Sequence, residues 1–307
     1  MSALEQAMTD YLDLRHSLGH AVSDVGRLLP GFVTYLEERG LGTVTVQAAA
    51  EWAQTGNGTT GVPRRMTAAR GFARYLAGID DNTEVPPLGL TPNRPRWRRP
   101  FIYTPSDIEA IMRQARDTIA SPLRAATYDT VIGLLAATGL RIGEAIKLDR
   151  GDVDWDKAVL LIRESKFGKS RLVPVHASTL RALAEYAVLR EELQPTPNGP
   201  SFFVSLTRNR LIYAVVSPTF RRLVDGAGVG ADAPSPPRLH DLRHTFAVQT
   251  LLRWYRSEVD VAAKIPSLST FLGHREPAST YWYLSAAPEL LALAAARRDT
   301  ASSAGGS

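Results

Sequence analysis

Apolar residues recur at helical spacing in the first part of the chain, and before residue 100 no stretch alternates as a strand does. The second helical stretch places Leu28, Phe32, Val33 and Leu36 on one face and ends near Gly40, which suits a C-terminal cap. The pattern predicts four helices, over residues 2–19, 22–39, 46–54 and 64–77. This part of the chain is therefore predicted to be an all-helical bundle.

Beyond residue 104 the pattern mixes helical stretches with short β-rich runs. Thr104 followed by Pro105 is typical of a helix start. The runs 158–162 and 171–175 flank the segment ESKFGKS and predict a β-hairpin, while 201–205 predicts a third strand. The predicted helices cover residues 105–115, 122–137, 141–148, 179–193, 219–226 and 288–298, with one more expected to start near Arg238. The predicted fold is mainly α with a small β-sheet, an α+β domain that follows the helical bundle.

A Pro/Arg-rich segment separates the two patterns. Residues 86–100 hold five prolines and four arginines, and proline prevents both helix continuation and sheet pairing. This predicts a helical domain over 1–88, an extended linker over 89–104 and a second domain over 105–299. The last residues, 300–307, are predicted to be disordered.

Composition narrows the class of protein. The chain has 307 residues and a net charge of +5. It has no cysteine, which excludes a disulfide framework and thiolate chemistry. The N-terminus lacks the basic start and apolar core of a signal peptide, and no apolar run is long enough to span a bilayer. We therefore expect a soluble, cytoplasmic protein. The histidines lack the spacing of a zinc site, so no metal is expected.

Arginines are unevenly distributed along the chain. Residues 1–60 carry three arginines against seven acidic residues, whereas residues 61–100 carry eight against three. A local arginine cluster suits a nucleic-acid backbone. The candidate DNA contacts are Arg64, Arg65, Arg94, Arg96, Arg98 and Arg99. The alternative is an unevenly charged surface joined to a stiff strap whose arginines face water.

Candidate chemistry is concentrated near the end of the chain. His240 and Arg243 are three residues apart, which places them on one face of a helix. His274 follows in the phrase LGH, and Tyr283 comes nine residues later. Arginine offers a planar fork of donors to phosphate oxygens, histidine can move a proton near neutral pH, and a phenol can act as a nucleophile. The set indicates chemistry on a phosphate.

The phrases RLHDLRHTF, LGH and the later tyrosine resemble the C-terminal signature of the tyrosine recombinases, also called the phage integrase family. Upstream, ATGLRIGEAIKL resembles the family's first arginine motif, with Arg141 at the arginine position and Glu144 at the acidic one. SKFGKSRLVPV resembles its β-hairpin phrase and aligns Lys166 with the catalytic lysine, with Lys169 as the nearest competitor. The resemblance implies six catalytic residues: Arg141, Lys166, His240, Arg243, His274 and Tyr283.

The resemblance also implies the reaction, a site-specific strand exchange on double-stranded DNA. Tyr283 would form a 3′-phosphotyrosyl link, Arg141 and Arg243 would stabilise the transition state, and Lys166 would protonate the leaving oxygen. No cofactor is implied. The implied partners are DNA with inverted half-sites, a homotetramer in the synaptic complex, and accessory recombinases or DNA-bending proteins. The helix over 288–298 is expected to dock on a neighbouring protomer.

Several alternatives stay open at this level. Tyr281 lies two residues before Tyr283 and competes for the role of nucleophile, while Trp282 is assigned to packing and His244 to no catalytic role. The segment between His244 and His274 is longer than in compact Xer-like recombinases, and a weaker similarity points to integrases carried by transposons. The alternative functions are DNA relaxation of the type IB topoisomerase kind and DNA binding without cleavage.

Overall fold

The computed structural model of the protein describes residues 2–20, 22–56, 61–90, 99–163, 170–196, 198–257 and 259–273. The chain divides into two compact units, residues 1–97 and residues 98–307. Each unit has its own hydrophobic core.

All the regular secondary structure in the described part of the first unit is helical, which confirms the prediction for this region. Its helices are α1 (Ala3–Ser17), α2 (Ser23–Glu37), α3 (Val46–Gln54) and α4 (Val62–Leu76). Ser2 and Thr45 cap α1 and α3, because each side chain accepts a bond from a backbone N–H of the first turn. The apolar face of α2 supplies Leu29, Phe32 and Leu36 to the core, where Phe72 of α4 meets them.

The second unit is also mainly helical. Its helices are α5 (Pro105–Thr118), α6 (Pro122–Thr138), α7 (Ile142–Lys147), α8 (Ala177–Leu193), α9 (Tyr213–Gly226), α10 (Leu239–Arg256) and α11 (Val261–Leu272). Thr104 starts α5 with a reciprocal capping box to Asp107, as the sequence predicted. Helix α6 packs against α5, α7, α8 and α10 and buries residues on most of its circumference, which is typical of a central helix.

A small antiparallel sheet accompanies these helices and confirms the predicted α+β fold. Its strands are β1 (Val153–Asp154), β2 (Val159–Ile162) and β3 (Arg171–Pro174), in the order β1-β2-β3. Leu160 pairs with Val173, and both side chains are fully buried. A short 3-10 helix, Arg150–Asp152, leads into β1. The predicted hairpin is thus confirmed in its two strands, while the turn over 164–169 lies outside the described residues.

One predicted strand was wrong, and one predicted helix is longer than expected. Residues 201–205 form no strand and take part only in isolated bridges, because side chains occupy their backbone groups: the Tyr186 hydroxyl accepts from the amide of Val204, and Arg190 donates to the carbonyl of Phe202. The helix predicted to begin after Pro218 begins instead at Tyr213. Proline removes one backbone donor there, and the Thr219 hydroxyl donates to the Val215 carbonyl within the same helix.

The end of α6 determines the direction in which the chain leaves the core. Gly139 caps α6 in the left-handed conformation at a φ of 62°. A Cβ atom at this position would lie 2.6 Å from the ring of Phe246 and 3.0 Å from Leu272, so α10 and α11 approach the backbone closely. No helix within the described ranges is long and apolar enough to span a membrane.

Candidate active site

Arg141 lies directly after this break and forms the N-cap of α7. Its backbone N–H donates to Oε2 of Glu144 at 3.0 Å, and its guanidinium donates to Oε1 of the same carboxylate at 2.9 Å. A further guanidinium N–H donates to the carbonyl of Gly273 at 3.2 Å. The side chain remains 27% exposed, so a fixed guanidinium presents part of its edge to solvent.

Glu144 binds two arginines rather than one. Besides Arg141, it accepts both terminal nitrogens of Arg171, at 2.9 and 3.0 Å. Burial raises the pKa of the Glu144 carboxyl, but the bonds from Arg171 and Arg141 outweigh that effect and hold the pKa below its usual range. The carboxylate is therefore ionised at neutral pH and orients both guanidinium groups.

Arg171 at the start of β3 is a residue that sequence reasoning missed. Its Nε donates to the carbonyl of Phe271 at 2.9 Å, in addition to its two bonds to Glu144. The basic residue in the phrase SRLVPV was visible in the sequence, but nothing near it indicated a partner. Its contacts come from α7 and α11, which only the fold brings to β3.

Arg243 on α10 is almost completely buried, with 2% of its surface exposed. One terminal nitrogen donates to the carbonyl of Gly139 at 2.8 Å and the other to the carbonyl of Leu272 at 2.7 Å. The start of α10 is itself held by Asp241, which accepts from the backbone and side chain of Arg238. The guanidinium of Arg243 therefore joins the ends of α6 and α11.

Three arginines converge on three successive carbonyls at the end of α11. Phe271 accepts from Arg171, Leu272 accepts from Arg243, and Gly273 accepts from Arg141. The last carbonyls of a helix have no partner within the helix, so these guanidiniums satisfy acceptors that would otherwise require water or other caps. Gly273 ends the helix in the left-handed conformation at a φ of 68°. We call residues 271–273 the α11 terminus.

His240 lies on the first turn of α10, beside Arg243, and part of its side chain is open to solvent. Its ring meets that of His244 edge to face, with centroids 4.8 Å apart. Desolvation, together with the neighbouring His244 and Arg243, lowers the pKa of His240 to about 4. Desolvation and the charges of Arg238 and Arg243 lower the pKa of His244 to about 4 as well. Both imidazoles are therefore neutral near pH 7.

The remaining predicted catalytic residues, Lys166, His274 and Tyr283, lie outside the described residues, as do their competitors Lys169 and Tyr281. The structure does describe their points of attachment. Residue 274 directly follows the α11 terminus, and Lys166 lies between β2 and β3. Arg163, after β2, donates to the buried carboxylate of Asp152 at 2.5 Å. Trp282 and the predicted helix over 288–298 are also outside the described ranges.

The candidate DNA-binding arginines differ in their surroundings. Arg64 forms an ion pair with Asp24 at the surface of the first unit, and Arg65 donates to the carbonyl of Ala53 at 3.1 Å. Arg99 is exposed at the start of the second unit. Three others, Arg94, Arg96 and Arg98, fall outside the described residues. Within the part of the chain that the structure describes, no group of His, Asp or Glu side chains could hold a metal ion.

Comparison with known proteins gives a consistent result. The family model described as "Phage integrase family" matches residues 102–289. The chain is 41% identical to "Putative integrase/recombinase y4rB" of Sinorhizobium fredii (strain NBRC 101917 / NGR234), over 95% of each chain. Among solved structures it is similar to the Tn1549 transposon integrase in complex with transposon right end DNA, with a TM-score of 0.65 at 16% identity over 98% of this chain and 99% of that one. It is also similar to a lambda integrase tetramer bound to a Holliday junction, with a TM-score of 0.58 at 18% identity over 89% and 78%.

Proposed function

The chain belongs to the phage integrase family, the tyrosine recombinases that break and rejoin DNA strands at specific sites, and on that premise we propose which of its residues do this. The observation that carries the proposal is the convergence of Arg141 and Arg243 on adjacent carbonyls of the α11 terminus. Two guanidiniums fixed side by side can bind the nonbridging oxygens of one phosphate. The six proposed catalytic residues are Arg141, Lys166, His240, Arg243, His274 and Tyr283.

The proposed reaction begins with the phenolic oxygen of Tyr283, which attacks the scissile phosphorus. The bond to the 5′-oxygen breaks, and a 3′-phosphotyrosyl link remains on the protein. Lys166 protonates the departing 5′-oxygen, while Arg141 and Arg243 stabilise the charge on the nonbridging oxygens. Attack by the 5′-hydroxyl of a second strand reverses these steps and rejoins DNA. Because the phosphotyrosyl ester conserves the bond energy, the reaction requires no nucleotide.

The histidines act beside this phosphate. A pKa of about 4 makes His240 a neutral imidazole at pH 7, so it donates a hydrogen bond or relays a proton without adding a charge. His274, which directly follows the α11 terminus, is proposed to share this role. Glu144 supports Arg141, because its carboxylate accepts one bond from the Arg141 backbone and one from the Arg141 guanidinium. The positive charge at the site thus comes from the arginines and the hairpin lysine.

The proposed substrate is duplex DNA with two inverted half-sites, bound by four copies of the chain, with accessory recombinases or DNA-bending proteins as further candidates. The proposal for a tetramer is supported by the lambda integrase tetramer, which shares the fold. Arg64, Arg65 and the linker arginines Arg94, Arg96, Arg98 and Arg99 are proposed to contact the DNA backbone. We further propose that the protein acts in the cytoplasm, as its sequence predicts.

The test uses a nicked duplex built from the inverted repeats that flank the gene, so that cleavage traps the covalent adduct. Tyr283→Phe should bind this DNA and form no adduct, because the nucleophilic oxygen is absent. Tyr281→Phe is the matched control and should retain adduct formation. Loss of the adduct in Tyr281→Phe, with its retention in Tyr283→Phe, would assign the nucleophile to Tyr281.

Two further results would favour the alternative functions. Relaxation of supercoiled plasmid without any half-site would favour a topoisomerase. DNA binding by the unaltered protein without any adduct would favour a protein that only binds DNA.

A further inference from the structure

Arg171 has no place among the six proposed catalytic residues, yet it contacts two elements of the site besides its own strand. It lies on β3, binds Glu144 of α7 with two nitrogens and binds Phe271 of α11 with its third. Its side chain is only 11% exposed. It therefore connects three parts of the site: strand β3, helix α7 with Glu144, and the α11 terminus that leads to His274.

The three bonds of Arg171 fix its guanidinium in a single orientation. Its two terminal nitrogens form a bidentate fork with the Glu144 carboxylate, and Nε points along a different edge of the same plane to Phe271. A lysine ammonium cannot reproduce this planar geometry. The approach to α11 is also close, because a Cβ atom at Gly273 would lie 2.8 Å from a terminal nitrogen of Arg171.

We propose that Arg171 is a positioning residue, which holds Glu144 and the α11 terminus in one arrangement and thereby aligns Arg141 with the scissile phosphate. This inference rests on the proposed function, since it acts through the role of Arg141. Without Arg171, the Glu144 carboxylate loses two donors, and Arg141 is the remaining donor that the structure describes for it. The Phe271 carbonyl also loses its guanidinium, which loosens the backbone immediately before His274.

The competing explanation is that the pair of Arg171 and Glu144 only stabilises the fold, as many buried ion pairs do. A charge-dependent measurement separates the two explanations. A methylphosphonate at the scissile position replaces a nonbridging oxygen by a methyl group and removes the charge that Arg141 stabilises. A variant that acts through Arg141 should therefore be less impaired on this substrate than on ordinary DNA, whereas a purely structural defect should be equal on both.

The experiment compares Arg171→Lys with Arg190→Lys, a control matched for burial. Arg190 is 3% exposed and donates to the Phe202 carbonyl and to Glu191, without any described contact to the site. We expect Arg171→Lys to form the adduct roughly a hundredfold more slowly on ordinary DNA, because small displacements of a positioned group have effects of this size. Its binding to a single half-site should change by less than about threefold. On the methylphosphonate its defect in adduct formation should fall below about tenfold, and the defect of Arg141→Ala should fall in the same way.

Two results would overturn the inference: an equal defect of Arg171→Lys on both substrates, or the same loss of adduct rate in Arg190→Lys. Normal cleavage by Arg141→Ala would instead refute the proposed function of Arg141. The positioning role of Arg171 would then be refuted too, because it acts through Arg141. If Arg171→Lys does not fold, Glu144→Gln tests the same contact from the other side. That variant keeps the size of the side chain, and it must show the same dependence on the charge of the phosphate.

Discussion

The arginines of the candidate site in the second unit and two surface arginines of the first unit are held in different ways. In the second unit, Arg243 is buried and the Arg171 side chain is only 11% exposed, and the structure describes at least two hydrogen bonds for each guanidinium. In the first unit, Arg27 and Arg64 are both paired with Asp24, and their side chains are 65% and 58% exposed. Arg171 and Arg243 are therefore fixed, whereas Arg27 and Arg64 are nearly free to reorient.

This difference corresponds to two kinds of interaction with a polyanion. A guanidinium that must stabilise charge on one phosphate benefits from being held before the substrate arrives. A guanidinium that only neutralises backbone phosphates needs reach rather than a fixed direction, and an exposed ion pair contributes little to stability. Arg64 can thus exchange Asp24 for a phosphate at small cost. We expect chemistry to depend on the fixed arginines and salt-sensitive affinity to depend on the exposed ones.

The largest expected effect comes from loosening a fixed arginine. Arg243→Lys should slow adduct formation by about 10²–10³-fold, the usual effect of removing one preorganised donor to a transition state. It should also lower the free energy of unfolding by about 1–3 kcal/mol, because an ammonium in its place leaves a buried carbonyl of Gly139 or Leu272 poorly satisfied. Single-turnover adduct assays and denaturant titration measure the two effects.

Arg253→Lys is the control on the same helix, since Arg253 is exposed and only its weak bond to Thr250 is described. It should leave both quantities nearly unchanged. Cleavage by Arg243→Lys at close to the normal rate would show that fixation by the two carbonyls is unnecessary. The conclusion that chemistry depends on the fixed arginines would then be wrong.

A smaller effect should follow from removing an exposed arginine. Arg64→Ala should lower the slope of log K against log salt by about 0.9, the amount expected for one lost phosphate contact. Arg27→Ala is a closely matched control, because Arg27 is equally exposed and pairs with the same Asp24. Fluorescence anisotropy over a range of salt concentrations gives both slopes.

Equal slopes for the two variants would favour the alternative that the first unit carries only a general surface charge. In that case the predicted contact of Arg64 would be wrong. The unfolding midpoint should hardly change in either variant, since both arginines belong to exposed ion pairs.

The smallest effect concerns pH and the pair of histidines on α10. The pKa values of His240 and His244 are both lowered to about 4, so the unfolded chain takes up these protons first as the pH falls. Their contribution to stability is complete above pH 6.5, the reference value, and is lost as the pH falls toward 4. Asp241, which favours the charged form of His240, reduces this loss, while Arg238, Arg243 and Arg141 increase it.

His244→Gln should therefore flatten the dependence of the unfolding free energy on pH between 6.5 and 4, by on the order of 1 kcal/mol because both rings are partly open to solvent. The unaltered protein is the reference. Thermal unfolding at a series of pH values checks the difference. An unchanged curve in His244→Gln would mean that this imidazole is not held neutral by its surroundings.

Local contacts of the site were accessible from the sequence. The resemblance selected Arg141 and Glu144, which are three residues apart in the predicted helix over 141–148, and the structure describes a bond between them. The spacing of His240 and Arg243 likewise predicted a shared helix, and both lie on α10. In each case the two residues are only three apart, so the period of the helix is sufficient to predict that they share a face.

Long-range contacts were not accessible in this way. Arg171 binds Glu144 and Phe271, and the acceptor on Phe271 is a backbone carbonyl, which every residue possesses. No side-chain pattern can indicate such a partner. The segment after His244 looked like an insertion, whereas the structure forms α11 there and uses its last carbonyls in the site. The predicted strand over 201–205 failed for a related reason, because distant side chains such as Tyr186 satisfy its backbone.

The α11 terminus also has an electrical consequence. Aligned peptide dipoles place about half a negative charge at the C-terminal end of a helix, and here that end faces three guanidiniums and one carboxylate. Three like charges collected before any phosphate arrives would repel one another, and the helix end together with Glu144 offsets part of that repulsion. The cluster can therefore be assembled in the absence of DNA, and incoming DNA meets a site that needs little rearrangement. Shortening α11 by a turn would remove this counter-charge without changing any residue that touches the substrate.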